Sequence, residues 1–422
     1  MRVKAVLRLP IGLLPCLAMF ASHCNAQALP WTLSTVYSFQ GSPDGASSEA
    51  PLAAGQSGAF YGTTSSGGTA GSGTVFELRP PTVAGGSWTE TVISNFEAGG
   101  FQPTAGVAVG KGGALYGTTR LGGAFGYGTA FELTPPVSRG GTWSQTVLHD
   151  FTGGVDGADP YGQLILGPNE ELYGTTWRGG SLDFGTVFEL RRPAFPGGAW
   201  TETVLYNFTN GADGCCPTTG LAQDADGNFY GYASIVFELA PPAIVGGAWT
   251  LSTLHNFTGN LLGSHDGFLA VGVPAVGPNG VLYGVTMMGG NPGYSNCGGG
   301  CGTVFALKPP VSPGTAWDEK ILYRFDRDAG DGFYPNSGVI IGTRGALYGT
   351  TSDTAFRLIP PSAEGGAWTE SILATFTGEN GFAPESGLIG VHGVLYGTTS
   401  LGGSAWIPGV DNGYGIVFML SQ

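Results

Sequence analysis

Trp177 is followed by Arg178, Asp183 and Phe184, and the corresponding stretch upstream holds Arg120, Phe125 and Tyr127. An aromatic face with a few hydrogen-bonding and charged groups is the composition of a sugar or peptide site. Arg120, Tyr127, Trp177, Arg178, Asp183 and Phe184 are therefore the candidate ligand-binding residues. The same rings would also serve to cover loop glycines, and both readings stand at this level. Trp406, with Asp411 and Tyr414, forms a second aromatic cluster, on a repeat nearly opposite that of Trp177 once the repeats close into a ring, and so is not expected to share one small ligand with it.

Other chemistry-bearing residues read as structure. Asp-Gly recurs at Asp44, Asp156, Asp213, Asp266 and Asp331, with Asn380 in the equivalent place. A ring of carboxylates suits a hard cation, but Asp-Gly is also turn chemistry, and its repetition favours the turn. Asp224-Ala-Asp226-Gly-Asn228 resembles the opening of a calcium loop without the bidentate Glu that would complete it, so it too is read as a turn. His149 and His255 occupy a position held elsewhere by Tyr206 and Tyr323, which makes them strand residues. No Gly-x-Ser-x-Gly elbow, zinc spacing or phosphate loop is present. An acid/base pair of carboxylates would escape such a scan, because its partners could come from any two repeats. The expectation is a protein without metal or cofactor, and more a binder than an enzyme.

What must position these residues is a phrase written seven times. Leu-Tyr-Gly-Thr-Thr-like steps place tyrosines at 61, 116, 173, 230, 283, 348 and 396, and Val-Phe-Glu-Leu-like steps place phenylalanines at 76, 131, 188, 237, 305, 356 and 418. Tryptophans at 31, 88, 143, 200, 249, 317 and 368 open Trp-Thr-Glu-like runs that phenylalanines close. A fixed period makes each repeat one supersecondary unit. In the third unit four strand-like segments follow one another: Pro160 to Leu166, Glu171 to Thr176, Gly185 to Leu190 and Trp200 to Phe208. Four antiparallel strands per unit, with 49 to 68 residues between successive tryptophans, predict an all-β, seven-bladed β-propeller over residues 27–422. The chain begins with one tryptophan strand, Trp31 to Phe39, and ends without one. The N-terminal strand is thus expected to complete the last blade, leaving no open edge.

Leu-Tyr-Gly-Thr-Thr, the Gly-Gly that follows it and Gly-Thr-Val-Phe-Glu-Leu together resemble the GloVer repeat of "choice-of-anchor" exported bacterial proteins, over nearly all of the mature chain. The resemblance implies a secreted or surface-exposed propeller-like protein.

Arg2, Lys4 and Arg8 precede an apolar stretch from Leu9 to Ala21, and Cys24-Asn25-Ala26 suits cleavage, so residues 1–26 read as a signal peptide. The remainder carries 13 Lys and Arg against 30 Asp and Glu, a net charge of −17 that repels phosphate backbones. No nucleic-acid partner and no membrane insertion are expected, and the chain is expected to be a monomer. Cys215, Cys216, Cys297 and Cys301 remain, and an exported setting favours two bridges, with three connectivities open. The functional expectation is a secreted, periplasmic or cell-surface scaffold binding a glycan or an extracellular protein on its loop face. A propeller-type polysaccharide lyase or glycoside hydrolase is the alternative.

Overall fold

The computed structural model describes residues 30–422 except 84, 98–99, 139, 196, 245, 260–265, 291–296, 313, 364 and 411. Residues 1–26, read above as a signal peptide, and Asp411 lie outside the described residues. Seven antiparallel blades follow one another in sequence order. In blade 3 the strands are Leu172–Arg178, Thr186–Arg191 and Thr201–Asn207, with the inner strand split into Ala158–Pro160 and Ile165–Leu166. Blade 7 is completed from the other end of the chain. Thr32–Ser38 pairs antiparallel with Ile416–Ser421, in a register that sets Leu33 against Leu420.

Each letter of Tyr-Gly-Thr-Thr has a separate structural task. In the first three blades the tyrosine hydroxyl donates to the glutamate of the facing strand, Tyr61 to Glu77 at 3.0 Å, Tyr116 to Glu132 at 3.1 Å and Tyr173 to Glu189 at 3.0 Å. The glycine faces the phenylalanine, as Gly174 faces Phe188, and a Cβ there would collide with the ring. In blades 1, 3 and 7 the first threonine reaches across to the following blade: Thr63 donates to the Ala105 carbonyl, Thr175 to that of Thr219, and Thr398 to that of Ser48. The second shares a hydrogen bond with a facing threonine, as in Thr176 with Thr186 at 2.8 Å. All these threonines are buried, so each hydroxyl needs such a partner.

Two aromatic circles join the blades. The phenylalanine that closes each outer strand meets the central phenylalanine of the next blade edge-on. The pairs Phe39–Phe76, Phe96–Phe131, Phe151–Phe188, Phe208–Phe237, Phe257–Phe305, Phe325–Phe356 and Phe376–Phe418 have centroids 4.9 to 5.4 Å apart. Farther out, the tryptophans lean on the motif tyrosine of the preceding blade, Trp143 on Tyr61, Trp200 on Tyr116 and Trp31 on Tyr348. That last contact, made by the N-terminal strand to the sixth blade, places it as the outer strand of the seventh.

The Asp-Gly residues tie the outer strands to the loops that follow. Asp44 accepts from the Gln40 amide at 2.9 Å and the Tyr37 hydroxyl at 3.0 Å, and Asp213 repeats this with Thr209 and Tyr206. His149 stands in the tyrosine's place against Asp156 at 3.1 Å. Beside four of these aspartates lies a glutamate of the adjoining outer strand. Burial, reinforced by the aspartate charge, pushes Glu90 up to about 8 and Glu202, Glu319 and Glu370 up to about 7.

Two outcomes follow from this architecture. Between pH 4.5 and about 8 the folded chain holds protons on these glutamates that the unfolded chain has released. Stability contributed by them is therefore full below pH 4.5 and is lost as pH rises through 7 to 8. The melting temperature should fall between pH 5 and pH 8.5, and Glu90→Gln should shrink the difference; a flat profile for the parent chain would refute this account. A chain lacking residues 27–40 should lose its single sharp thermal transition and self-associate through the bared Ile416–Ser421 edge, as read by circular dichroism and light scattering.

Candidate functional site

The seven inner strands enclose a central cavity of about 810 Å³ to which every blade contributes one segment. In four blades that segment reads Pro-x-x-Gly followed by Leu or Val, beginning at Pro103, Pro217, Pro335 and Pro384; Ser48 to Leu52 and Pro160 to Leu164 keep the same length. The terminal Leu or Val is buried in its blade, as with Val107, Leu164 and Leu388. That anchor leaves the second residue on the cavity wall. Glu49, Thr104, Tyr161, Thr218, Asn336 and Glu385 occupy this place, all lining the cavity.

A second variable place is the residue directly after Tyr-Gly-Thr-Thr. Ser65, Arg120, Trp177, Met287, Ser352 and Ser400 fill it. Met287 lines the cavity. The Ser65 hydroxyl donates to Glu49 Oε1 at 2.7 Å, and the Arg120 guanidinium lies 5.0 Å from the Tyr161 ring centroid. Arg120 Nε is buried and without a hydrogen-bond partner among the described residues. Arg120 and Trp177 occupy the same repeat position as Met287, one blade apart, and by that equivalence stand toward the rim of the channel.

The candidate ligand-binding residues divide between this rim and the loops outside it. The Arg178 guanidinium covers the Trp177 ring at 4.2 Å, and its Nε lies 4.0 Å from Asp159 Oδ2. Asp183 accepts the Gly179 amide at 2.8 Å and closes its own loop. Phe184 packs against the buried cluster of Phe208, Ala233 and Ile235 between blades 3 and 4. Tyr127, 47% exposed, lies over Gly153. Tyr414 covers Gly41 and Trp406 covers Gly378 in the same manner, and these three glycines occupy one repeat position.

Glu49, Tyr161 and Glu385 were passed over in reading the sequence, because they stand inside a repeated segment and repeated segments build the fold. The signal was the variable letter within a constant frame. Burial, and secondarily the charge of Glu49, raises the Glu385 carboxyl above its ordinary value, while the nearby Ser400 hydroxyl pulls it partly back. Asp224, the calcium-loop look-alike, accepts the amides of Asp226 and Asn228 at 3.0 and 2.9 Å, the Asn228 side chain at 2.9 Å and the Tyr230 hydroxyl at 3.0 Å, which closes a hairpin.

Of the cysteine connectivities, the structure contains the local one, Cys297–Cys301. Cys215 and Cys216 are free, so one bridge stands where two were expected. Neighbouring Cα atoms across a trans peptide are about 3.8 Å apart, closer than an unstrained disulfide allows. Burial and the adjacent Cys215 thiol push the Cys216 thiol up to about 12.

The Gloeobacter/Verrucomicrobia repeat matches residues 26–238, half of the sequence, and the chain belongs to this repeat family. No curated protein matches it. Among solved structures, a catalytically inactive virginiamycin B lyase from Staphylococcus aureus with quinupristin is 12% identical, with 93% of this chain and 99% of that chain covered and a TM-score of 0.54. The extracellular domain of a one-component system from B. thetaiotaomicron is 11% identical over 92% of this chain and 42% of that chain, with a TM-score of 0.53. That of a hybrid two-component system from the same organism is 10% identical over 92% and 41%, at 0.51. This chain spans less than half the length of the latter two. At such identities the likeness concerns the fold alone.

The two kinds of tryptophan should respond differently to truncation. Trp200→Ala removes a ring packed on Tyr116 and should cost about 3 kcal/mol, whereas Trp177→Ala, at a rim position, should leave the melting temperature within a few degrees. Equal destabilisation in parallel thermal melts would make Trp177 a blade residue instead.

Proposed function

We propose that this repeat-family propeller is an extracellular carbohydrate-binding protein that takes a short saccharide into the mouth of its central channel. The observation that carries this reading is the placement of the repeat-variable residues. Constant residues bond to one another within and between blades, while the variable ones gather around one concave space of about 810 Å³. That volume suits a small ligand, for which pockets run from roughly 300 to 1,000 Å³. A folded protein would instead need on the order of 800 Å² of surface on its partner.

The wall chemistry favours a saccharide. Tyr161 offers a ring, with the Arg120 guanidinium lying over it, and sugar C–H faces pack well on such rings. Thr104, Thr218, Asn336, Glu49 and Glu385 supply donors and acceptors around it for hydroxyl groups. Trp177 and Arg178, stacked on one another at the rim, would extend the site to a longer chain. The disulfide between Cys297 and Cys301 supports an oxidising, extracytoplasmic location.

A glycan array on the mature chain, followed by titration calorimetry on the saccharides it retains, tests the proposal. Tyr161→Ala should weaken binding by about tenfold or more, equivalent to about 1.4 kcal/mol, and Trp177→Ala should weaken longer saccharides more than shorter ones. Undiminished affinity in a folded Tyr161→Ala protein would move the site away from the channel.

A further inference from the structure

The channel mouth brings together two carboxyl groups that lie at opposite ends of the chain. Glu49 belongs to blade 1 and Glu385 to blade 7, and radial closure makes these blades neighbours. Both residues line the central cavity. Neither takes part in the contacts that recur from blade to blade, in which glutamates serve tyrosine hydroxyls and aspartates close turns. The two groups are held differently. Glu49 accepts the Ser65 hydroxyl at 2.7 Å, while burial, and then the charge of Glu49, raises the Glu385 carboxyl above its ordinary value. A half-buried carboxyl raised above its ordinary value is suited to give a proton, and a second carboxyl on the same cavity wall, already accepting a hydroxyl, is placed to take one. Tyr161, with Arg120 lying over it, stands on the wall of the same cavity.

We infer that the channel mouth hydrolyses a glycosidic bond of the saccharide it holds, with Glu385 as general acid and Glu49 as general base. This rests on the saccharide-binding reading above. In the step, the Glu385 carboxyl gives its proton to the glycosidic oxygen as the bond from that oxygen to the anomeric carbon breaks. A water oxygen forms the new bond to the anomeric carbon and gives one proton to Glu49. The products are a reducing sugar and an alcohol, and proton exchange with solvent returns both groups to their starting states.

Phenyl and 2,4-dinitrophenyl glycosides of glucose, galactose, xylose and mannose, in both anomeric forms, are the substrates for the test, together with any saccharide retained on the array. At least one glycoside should be cleaved. Glu49→Gln should lower turnover of both aglycones about a hundredfold or more. Glu385→Gln should do so for the phenyl glycoside, yet lower the dinitrophenyl glycoside less than about tenfold, since that leaving group departs without a proton. Full activity of Glu49→Gln on either aglycone, or of Glu385→Gln on the phenyl glycoside, overturns the assignment. Saccharide binding by calorimetry with no cleavage of any substrate overturns hydrolysis and leaves the binding reading in place, whereas absence of both binding and cleavage overturns the binding reading as well.

Discussion

A closed circle of phenylalanine pairs sets the relation of every blade to the next. Each central phenylalanine, such as Phe188, occupies the space that a side chain on the facing Gly174 would fill. It also receives the edge of the preceding blade's last phenylalanine, Phe151, at 5.2 Å. Glycine and aromatic ring are therefore one unit, and the blade's inner and outer pairs cannot slide without breaking it. Edge-to-face pairs contribute about 0.5 to 1.5 kcal/mol each beyond buried area. Seven such pairs together are comparable with the 5 to 15 kcal/mol by which whole domains are stable. The pair between Phe39, which closes the N-terminal strand in blade 7, and Phe76 of blade 1 makes that strand a part of the circle.

Once that circle and the threonine bonds are satisfied, the repeated polar groups have little left to offer a ligand. Tyr173 is occupied with Glu189, Thr175 with the next blade, and Asp213 with its own turn. Loop rings are occupied as well where a bare glycine lies beneath them, as Tyr127 lies over Gly153. The free chemistry is displaced to two letters of the repeat that the circle does not constrain. One follows the proline of the inner segment and the other follows Tyr-Gly-Thr-Thr. Both border the channel, because the inner strand and the end of the second strand are the parts of a blade that converge on the axis.

The division between legible and illegible residues has the same origin. The Tyr-Gly-Thr-Thr and Val-Phe-Glu-Leu steps could be read from the chain because every blade must solve one packing problem with the same side chains. The missing tryptophan strand after Leu420 likewise disclosed how the ends meet. Subtracting the repeated steps from the chain leaves Arg120 and Trp177, but it also leaves Asp183 and Phe184, which close a loop and fill a cluster between blades. Subtraction finds residues that differ; it does not tell which way they face.

The sequence by itself thus determined the strands, the blade number and the closure, since these follow from local periodicity repeated seven times. Only the tertiary structure decided which unlike residues share a space. Glu49 and Glu385 are separated by almost the whole chain, as are the strands that close blade 7. They lie on adjoining blades because hydrogen bonding between Thr32–Ser38 and Ile416–Ser421 bends a linear array into a ring, and only in a ring do the first and last repeats become neighbours.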